Sequence, residues 1–318
     1  MHTYINKQLE TLNWDRAPRE LYLPIGYALE SGGKRIRPAL VLMACDLFGG
    51  TKDDAMGAAL AVEVFHNFTL LHDDIMDNAE TRRNRLTVHK KWNANTAILS
   101  GDAMMIKSYE FLENTPAHLW TKLFPIFTRT ALEVCEGQQY DMNFETCEEV
   151  TLDEYFNMIR LKTAVLLGAA LQLGAIIGGA SDDDAQHLYD FGIAIGIAFQ
   201  LKDDYLDTFG DEKSFGKRIG GDIVCGKKTF LLINALTQST NDDRLLIQNT
   251  LADKLMPEEQ KIRTITAVYE KLEIPSLCEK AMSEYYNRAL LALTKITGNK
   301  NDKQPFMALA QQLMGRTD

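Results

Sequence analysis

Two neighbouring stretches, "LDEYFNMIRLKTAVLLGAALQLGAIIGG" and "DDDAQHLYDFGIAIGIAFQLKDDYLDTFG", carry apolar residues nearly all round the helix they would form. A helix of that kind must be enclosed, by other helices or by lipid. No segment shows sustained period-2 alternation of β-branched residues bounded by turns, the mark of a strand. "DDAMGAALAVEVFHNFTLLHDDIMD" opens on an Asp pair suited to an N-cap and runs several turns without Pro. The C-terminal portion reads as two helices broken at Pro275. The expected fold class is all-α.

Lipid is the less suitable enclosure. The most apolar part, "AVLLGAALQLGAIIGGA" from Ala164 to Ala180, is short for a span of roughly 20 residues, is Gly-rich and contains Gln172. It reads as a buried helix of a soluble bundle, with no integral membrane segment. The 318 residues suffice for a large core, and no Pro/Ser-rich linker divides them, so residues 1–318 are read as a single domain. With 46% hydrophobic and 25% charged residues the chain is neither disordered nor fibrous, and a formal charge of −10 argues against nucleic acid as a partner. Five cysteines without zinc-type spacing, and an N-terminus without an apolar signal region, point to reduced thiols and a cytoplasmic location.

Within the apolar helices one phrase occurs twice: "LLHDDIMD" (70–77) and "QLKDDYLD" (200–207). Residues four apart share a helix face, so Asp73 and Asp77 point one way, as do Asp203 and Asp207. Asp74 and Asp204 are turned by about 100° and reach in from the side. Acids at i,i+4 repel unless a cation lies between them. Mg²⁺ suits such a site because it takes one or two carboxylates and completes its octahedron with waters and phosphate oxygens. The bland alternative is a solvated acidic face, but two copies at the ends of apolar helices fit it poorly. His66, seven residues before Asp73, falls on nearly the same stripe; alone it could equally be a satisfied core histidine.

Phosphate chemistry predicts cations nearby. "GGKRIRPAL" sets Lys34, Arg35 and Arg37 at a glycine turn opening into a helix whose first turn holds Pro38, an anion site by geometry and charge. "ETRRNRLTVH" places Arg82 and Arg83 just beyond the first Asp cluster, with guanidinium forks suited to phosphate. Lys162 lies in an apolar helix; Lys217 and Lys227 lie in the Gly-rich loop "FGDEKSFGKRIGGDIVCGKK". Each of these lysines could simply be an exposed end of a long side chain. Two facing acid clusters ringed by separate cation sites imply two diphosphate groups, one held by metal and one by Arg and Lys. Gly- and Ala-rich apolar helices would leave room for a hydrophobic tail.

In the order "GGKRIRP", "HDDIMDNAETRR", "LKTA", "FQLKDDYLD" and "GKRIGGDIVCGKKT", the chain resembles the trans-type isoprenyl diphosphate synthases (polyprenyl synthetases) over nearly its whole length. The resemblance implies a helical bundle around a deep central cavity and a homodimer. It implies condensation of isopentenyl diphosphate with an allylic diphosphate, giving a short trans-prenyl diphosphate of C15 or C20. By position, Asp73, Asp74 and Asp77 with Asp203, Asp204 and Asp207 look like ligands of Mg²⁺, three ions per site. Arg82, Lys162, Lys217 and Lys227 look like contacts to the allylic diphosphate, and Lys34, Arg37, His66 and Arg83 like the isopentenyl diphosphate site. Thr163 and Gln200 match residues that stabilise the developing allylic cation. Phe68, five before the first Asp, matches the floor of the tail pocket, although on an ideal wheel the small Thr69 lies closer to the Asp73 face. One block departs: the family commonly has Arg-Arg-Gly-x-Pro-Thr, whereas here Asn84 replaces Gly and Leu86 replaces Pro. Asn tolerates the left-handed conformation that Gly would supply, but Leu86 costs the loop rigidity.

Three rivals remain at this level. A class I terpene cyclase shares the fold and first Asp motif but needs no second diphosphate site. A non-catalytic partner subunit of a synthase heteromer should have lost one Asp cluster, and both are intact. A third is a Mg²⁺- or Ca²⁺-stabilised structural helix bundle, which incubation with isopentenyl diphosphate and an allylic partner would separate from the others.

Overall fold

The apolar runs form helices, as their patterning predicts, in a computed structural model that describes residues 1–210, 219–297 and 303–315. In chain order these are α1 (His2–Glu10), α2 (Arg19–Glu30), α3 (Ile36–Leu47), α4 (Lys52–Met76), α5 (Val88–Lys91), α6 (Ala94–Leu112), α7 (Trp120–Thr146), α8 (Leu152–Ile159), α9 (Val165–Ile177) and α10 (Asp182–Phe209). There follow α11 (Gly221–Cys225), α12 (Phe230–Gln238), α13 (Asn241–Ala252), α14 (Glu258–Lys271), α15 (Ile274–Thr294) and α16 (Gln304–Met314). The one sheet among the described residues is a hairpin of two-residue strands, β1 (Thr81–Arg82) and β2 (Arg85–Leu86). The fold class is all-α.

The chain divides into two compact units. One comprises Met1–Ala131, Ala169–Tyr189 and a short stretch from Thr297; the other comprises Leu132–Gly168, Asp190–Ile296 and the C-terminal helix.

In the first unit α4 packs between α3 and α6 and buries Phe65, Phe68 and Leu71. Its N-cap is Thr51, whose hydroxyl accepts from the Asp54 N–H at 3.2 Å, not the Asp pair that the sequence suggested. Asp53 and Asp54 instead occupy the first turn, where the helix dipole favours acids. The turn before α3 is fixed to the middle of α4 by a buried pair. Arg35, left-handed at φ 48°, donates to Glu63, to the Leu29 carbonyl at 2.6 Å and to Asn6 Oδ1 at 3.1 Å. Asn67 donates to the Glu63 carboxylate at 3.0 Å. Removing one member of such a buried pair costs about 3–5 kcal/mol. Arg35 is therefore a structural cation, whereas Lys34 and Arg37 on either side of it are not part of this pair.

In the second unit Tyr155, Leu201, Phe230, Ile265 and Ile274 belong to one core. A capping box between Thr151 and Glu154 starts α8, and the helix passes through a π turn at Arg160–Ala164 into α9. A Cβ on Gly192 of α10 would stand 2.5 Å from the Gly168 Cα. The glycine expected to leave room for a ligand here lets two backbones touch. Glu273 in the left-handed region and Pro275 in the first turn of α15 make the break expected there.

Leu152–Ile177 is, among the described residues, the one helical stretch long and apolar enough to cross a membrane, and 72% of its most apolar window is buried.

Candidate active site

The first carboxylate group closes α4. The Asp77 N–H donates to the Asp73 carbonyl at 2.9 Å, so the helical register holds and the two side chains share a face. Asp73 is half-buried and Asp77 exposed. Asp74 differs: it is buried and accepts from Arg82 Nε at 2.7 Å. Burial lifts the Asp74 carboxyl above its ordinary range, and Arg82 opposes that lift. Of the three expected metal ligands, Asp74 is thus committed to orienting Arg82 in this structure.

In the second unit Asp203, Asp204 and Asp207 occupy the last turns of α10. Asp204 is buried and accepts from the Tyr155 hydroxyl at 2.6 Å and Gln200 Nε2 at 2.9 Å. Burial, reinforced by the charge of Asp222, pushes its carboxyl up to about 7. Asp207 is also buried, and its carboxylate accepts the Asp222 N–H at 2.9 Å. Asp204 and Asp207 are therefore engaged by protein donors, and Asp203 is the half-buried member of the group. Thr163 donates to Gln200 Oε1 at 3.2 Å, so Thr163, Gln200, Asp204 and Tyr155 form one hydrogen-bonded line.

Thr163 and Lys162 lie in the π turn, which widens the helix at the point where polar groups leave an apolar face. Gly137 of α7 lies against this turn; a Cβ there would stand 2.3 Å from the Lys162 nitrogen. Lys162 Nζ pairs with Asp141 at 2.5 Å. Lys227 is exposed just after α11, and its N–H donates to the Asp222 carbonyl at 2.9 Å. Lys217 lies outside the described residues. Tyr155 and Asp141 escape a reading by motif, because neither sits in a recognisable phrase and each is brought in by packing; Asp222 lies within the "GKRIGGDIVCGKKT" block but is not singled out there.

The third constellation is cationic and lies in the first unit. Arg37 donates to His66 Nε2 at 3.2 Å, which requires the neutral imidazole with its proton on Nδ1. Burial, then the charges of Arg37 and Arg83, hold His66 well below its usual pKa. Burial also lowers Arg37 to about 10, and its buried Nε has no hydrogen-bond partner among the described residues. An unmet buried donor costs about 1–3 kcal/mol, which an anion at this place would offset. Arg83 donates to the Gly32 carbonyl and reaches Ser31 Oγ at 3.4 Å. A Cβ on Gly33 would meet the Arg83 guanidinium at 2.8 Å, and Gly33 has φ +131°, so only glycine suits the turn. Lys34 is exposed beside it.

The departure at Asn84 and Leu86 does not open the loop. Arg83 and Asn84 have φ 52° and 61°, and Arg82 pairs with Arg85, which makes a two-residue hairpin of the primed type. Asn84 adopts the conformation that glycine would supply.

Phe68 is buried on α4, with ring centroids 5.5 Å from Phe65 and 4.8 Å from His72. Thr69 is half-buried and donates to the His66 carbonyl at 2.8 Å.

Both acid groups sit at helix C-termini, where the dipole opposes negative charge. Their oxygens are hard donors, and among the described residues no three His, Cys, Asp or Glu side chains form a ready-made cage. That set fits Mg²⁺, which draws much of its coordination from water and phosphate.

The sequence profile of the Polyprenyl synthetase family matches residues 18–271. The geranylgeranyl diphosphate synthase of Methanosarcina mazei is 42% identical over 252 residues, covering 78% of this chain and 76% of that protein. That of Saccharolobus solfataricus is 40% identical over 286 residues, 88% of this chain and 86% of the other. A crystal structure of geranylgeranyl pyrophosphate synthase superposes with a TM-score of 0.94 at 45% identity, covering 99% of this chain and 98% of that one. The chain belongs to the polyprenyl synthetase family. Its activity is that of a trans-prenyltransferase acting on isoprenoid diphosphates.

Proposed function

We propose that the protein condenses isopentenyl diphosphate with an allylic diphosphate, dimethylallyl or geranyl and extending to farnesyl, to give a C15 or C20 trans-prenyl diphosphate and pyrophosphate. The observation that carries the two-substrate reading is the Arg37–His66–Arg83 group, a cation-rich cluster whose buried Arg37 Nε has no partner among the described residues, in the same chain as two carboxylate groups. A terpene cyclase would have no use for it. The names of the relatives favour C20.

In this reading Asp73, Asp77 and Asp203 would hold Mg²⁺, with Asp74, Asp204 and Asp207 orienting the residues around them. Bound Mg²⁺ would supply charge neutralisation of the departing diphosphate. Arg82, Lys162 and Lys227, with Lys217, bind the same diphosphate through charge-assisted hydrogen bonds. Lys34, Arg37, His66 and Arg83 bind the diphosphate of isopentenyl diphosphate and fix its double bond toward the allylic carbon. The oxygen atoms of Thr163 and Gln200 lie in line from Asp204 and stabilise positive charge on the allyl group as its C–O bond breaks. The double bond attacks that carbon, and a proton leaves the adduct for the released pyrophosphate. Apolar walls keep water from the allylic cation. We further propose that residues 1–318 act as one domain, that the active form is a homodimer, and that it works in the cytoplasm.

Incubation with labelled isopentenyl diphosphate and each allylic diphosphate tests this. Label should enter a prenyl diphosphate with Mg²⁺ and not in excess EDTA. Full turnover in EDTA would overturn the metal assignment, and a cyclised hydrocarbon would overturn the reaction.

A further inference from the structure

The hairpin that carries Arg82 and Arg83 is held at distinct points. On β1, Arg82 is anchored by Asp74 at 2.7 Å. The base is closed by the Thr87 N–H on the Glu80 carbonyl at 3.0 Å and by Thr87 Oγ1 on the Ala79 carbonyl at 2.7 Å. The second strand is gripped from α2 by Tyr27, beside a long 4.0 Å ion pair between Arg85 and the exposed Glu30 of the same helix. The Tyr27 hydroxyl donates to the Leu86 carbonyl at 2.8 Å. Its ring receives the Arg85 guanidinium at 4.0 Å and the Lys91 ammonium at 3.9 Å, and Trp92 meets it edge-on at 5.3 Å.

Each of those partners belongs to the segment just after the Arg83–Asn84 turn. Leu86 stands where the family's motif commonly has Pro, so the backbone there lacks the stiffness that a fixed φ would give. Tyr27 supplies from outside what Leu86 does not supply from within: one directed hydrogen bond and two cation–π contacts on a half-buried ring. We infer that Tyr27 is a positioning residue for the isopentenyl diphosphate site, holding β2 so that Arg83 stays against the Gly32–Gly33 turn. Arg82 has its own anchor in Asp74, so loosening β2 displaces Arg83 more than Arg82. The effect falls on isopentenyl diphosphate more than on the allylic substrate. Because Arg83 is assigned above to isopentenyl diphosphate, the role of Tyr27 stands only if that assignment does.

Leu86 also allows a rescue. It pairs with Thr81, between the Arg82–Arg85 pair beside the turn and the bonded Thr87–Glu80 pair, so alternation leaves its N–H outside the ladder. A proline at that place removes no ladder bond.

The test uses the full chain and initial-rate kinetics in both substrates. Tyr27→Phe, which loses only the hydroxyl, should raise the KM for isopentenyl diphosphate about threefold, and Tyr27→Leu about tenfold, the range expected of one or a few modest contacts. The allylic KM and kcat should stay within about twofold. Adding Leu86→Pro to Tyr27→Phe should bring the KM back toward that of the wild type. A Tyr27→Leu protein that melts cooperatively yet keeps its isopentenyl diphosphate KM would overturn the role, as would equal increases in both KM values. Should Tyr27→Leu fail to fold, Tyr27→Phe with and without Leu86→Pro decides by the same criteria. Arg83→Ala serves as the reference: an unchanged isopentenyl diphosphate KM in that variant overturns the site assignment itself, and the role of Tyr27 with it.

Discussion

His66 Nε2 accepts a hydrogen bond from the Arg37 guanidinium at 3.2 Å, so the ring within this cationic cluster is neutral. Burial is the largest cause of its lowered pKa, followed by Arg37 and Arg83. The unfolded chain takes up this proton near 6.5 and the folded one only at lower pH. Between those two values the unfolded state binds more protons, so stability is full above about 6.5 and declines as pH falls. An NMR titration should find the His66 ring taking up its proton only well below the usual histidine range, and Arg37→Leu should raise its pKa. A wild-type ring that titrates at 6.5 would remove the electrostatic basis of the cluster.

Asp77 caps α4 with its carboxylate at the negative end of the helix dipole and on the face of Asp73. Without metal this charge is unfavourable. Asp77→Asn should therefore stabilise the metal-free protein by about 0.3–1 kcal/mol while lowering kcat. Denaturant melts in EDTA read the first effect and turnover in Mg²⁺ the second. A metal-free variant less stable than the wild type would argue that the carboxylate has a structural task.

Gly137 faces the π turn with no space for a methyl group, the Lys162 nitrogen being 2.3 Å from where its Cβ would be. Gly137→Ala must push that turn aside, at about 1–3 kcal/mol of overpacking. Since Lys162 and Thr163 move with it, kcat should drop about tenfold while the KM for isopentenyl diphosphate holds, because small displacements of positioning groups are costly to rate. An unchanged kcat in the folded variant would separate the π turn from the chemistry.

The helices were legible because their apolar faces are so broad, and the Asp phrases because i,i+4 spacing fixes which side chains share a face. Spacing does not say what a side chain meets. Spacing turns Asp74 away from Asp73, and only the fold shows that Asp73 is half-buried on the face of Asp77 while Asp74 is buried against Arg82. Arg35 looks like a phosphate contact between Lys34 and Arg37, yet a left-handed backbone swings it into the core onto Glu63. The π turn at Arg160–Ala164 has no local signature at all; close packing against Gly137 accompanies it.

We propose that product length is set on α4. Phe68 packs with Phe65, and Phe65 in turn with Phe127 at 5.6 Å, so the aromatic group at this depth is continuous. Phe68→Ala should lengthen the product beyond the wild-type C15 or C20. Thr69→Phe should hold it at C15 or less, because the half-buried Thr69 lies only about 40° round the helix from Asp73. Chromatography of the dephosphorylated products reads both. An unchanged product from Phe68→Ala would move the floor to another helix, the stretch after Lys162 being the next place to look.

On the proposed function the protein holds two diphosphates by different means, one at the Arg37–His66–Arg83 cluster and one through the carboxylate groups. Steady-state kinetics of Arg83→Ala and Asp203→Ala in both substrates tests it most directly. A charged hydrogen bond lost from binding alone corresponds to about 10- to 150-fold in KM. Arg83→Ala should show that rise for isopentenyl diphosphate with kcat little changed, and Asp203→Ala should chiefly lower kcat. Equal effects of both substitutions on both parameters would contradict the division into two sites.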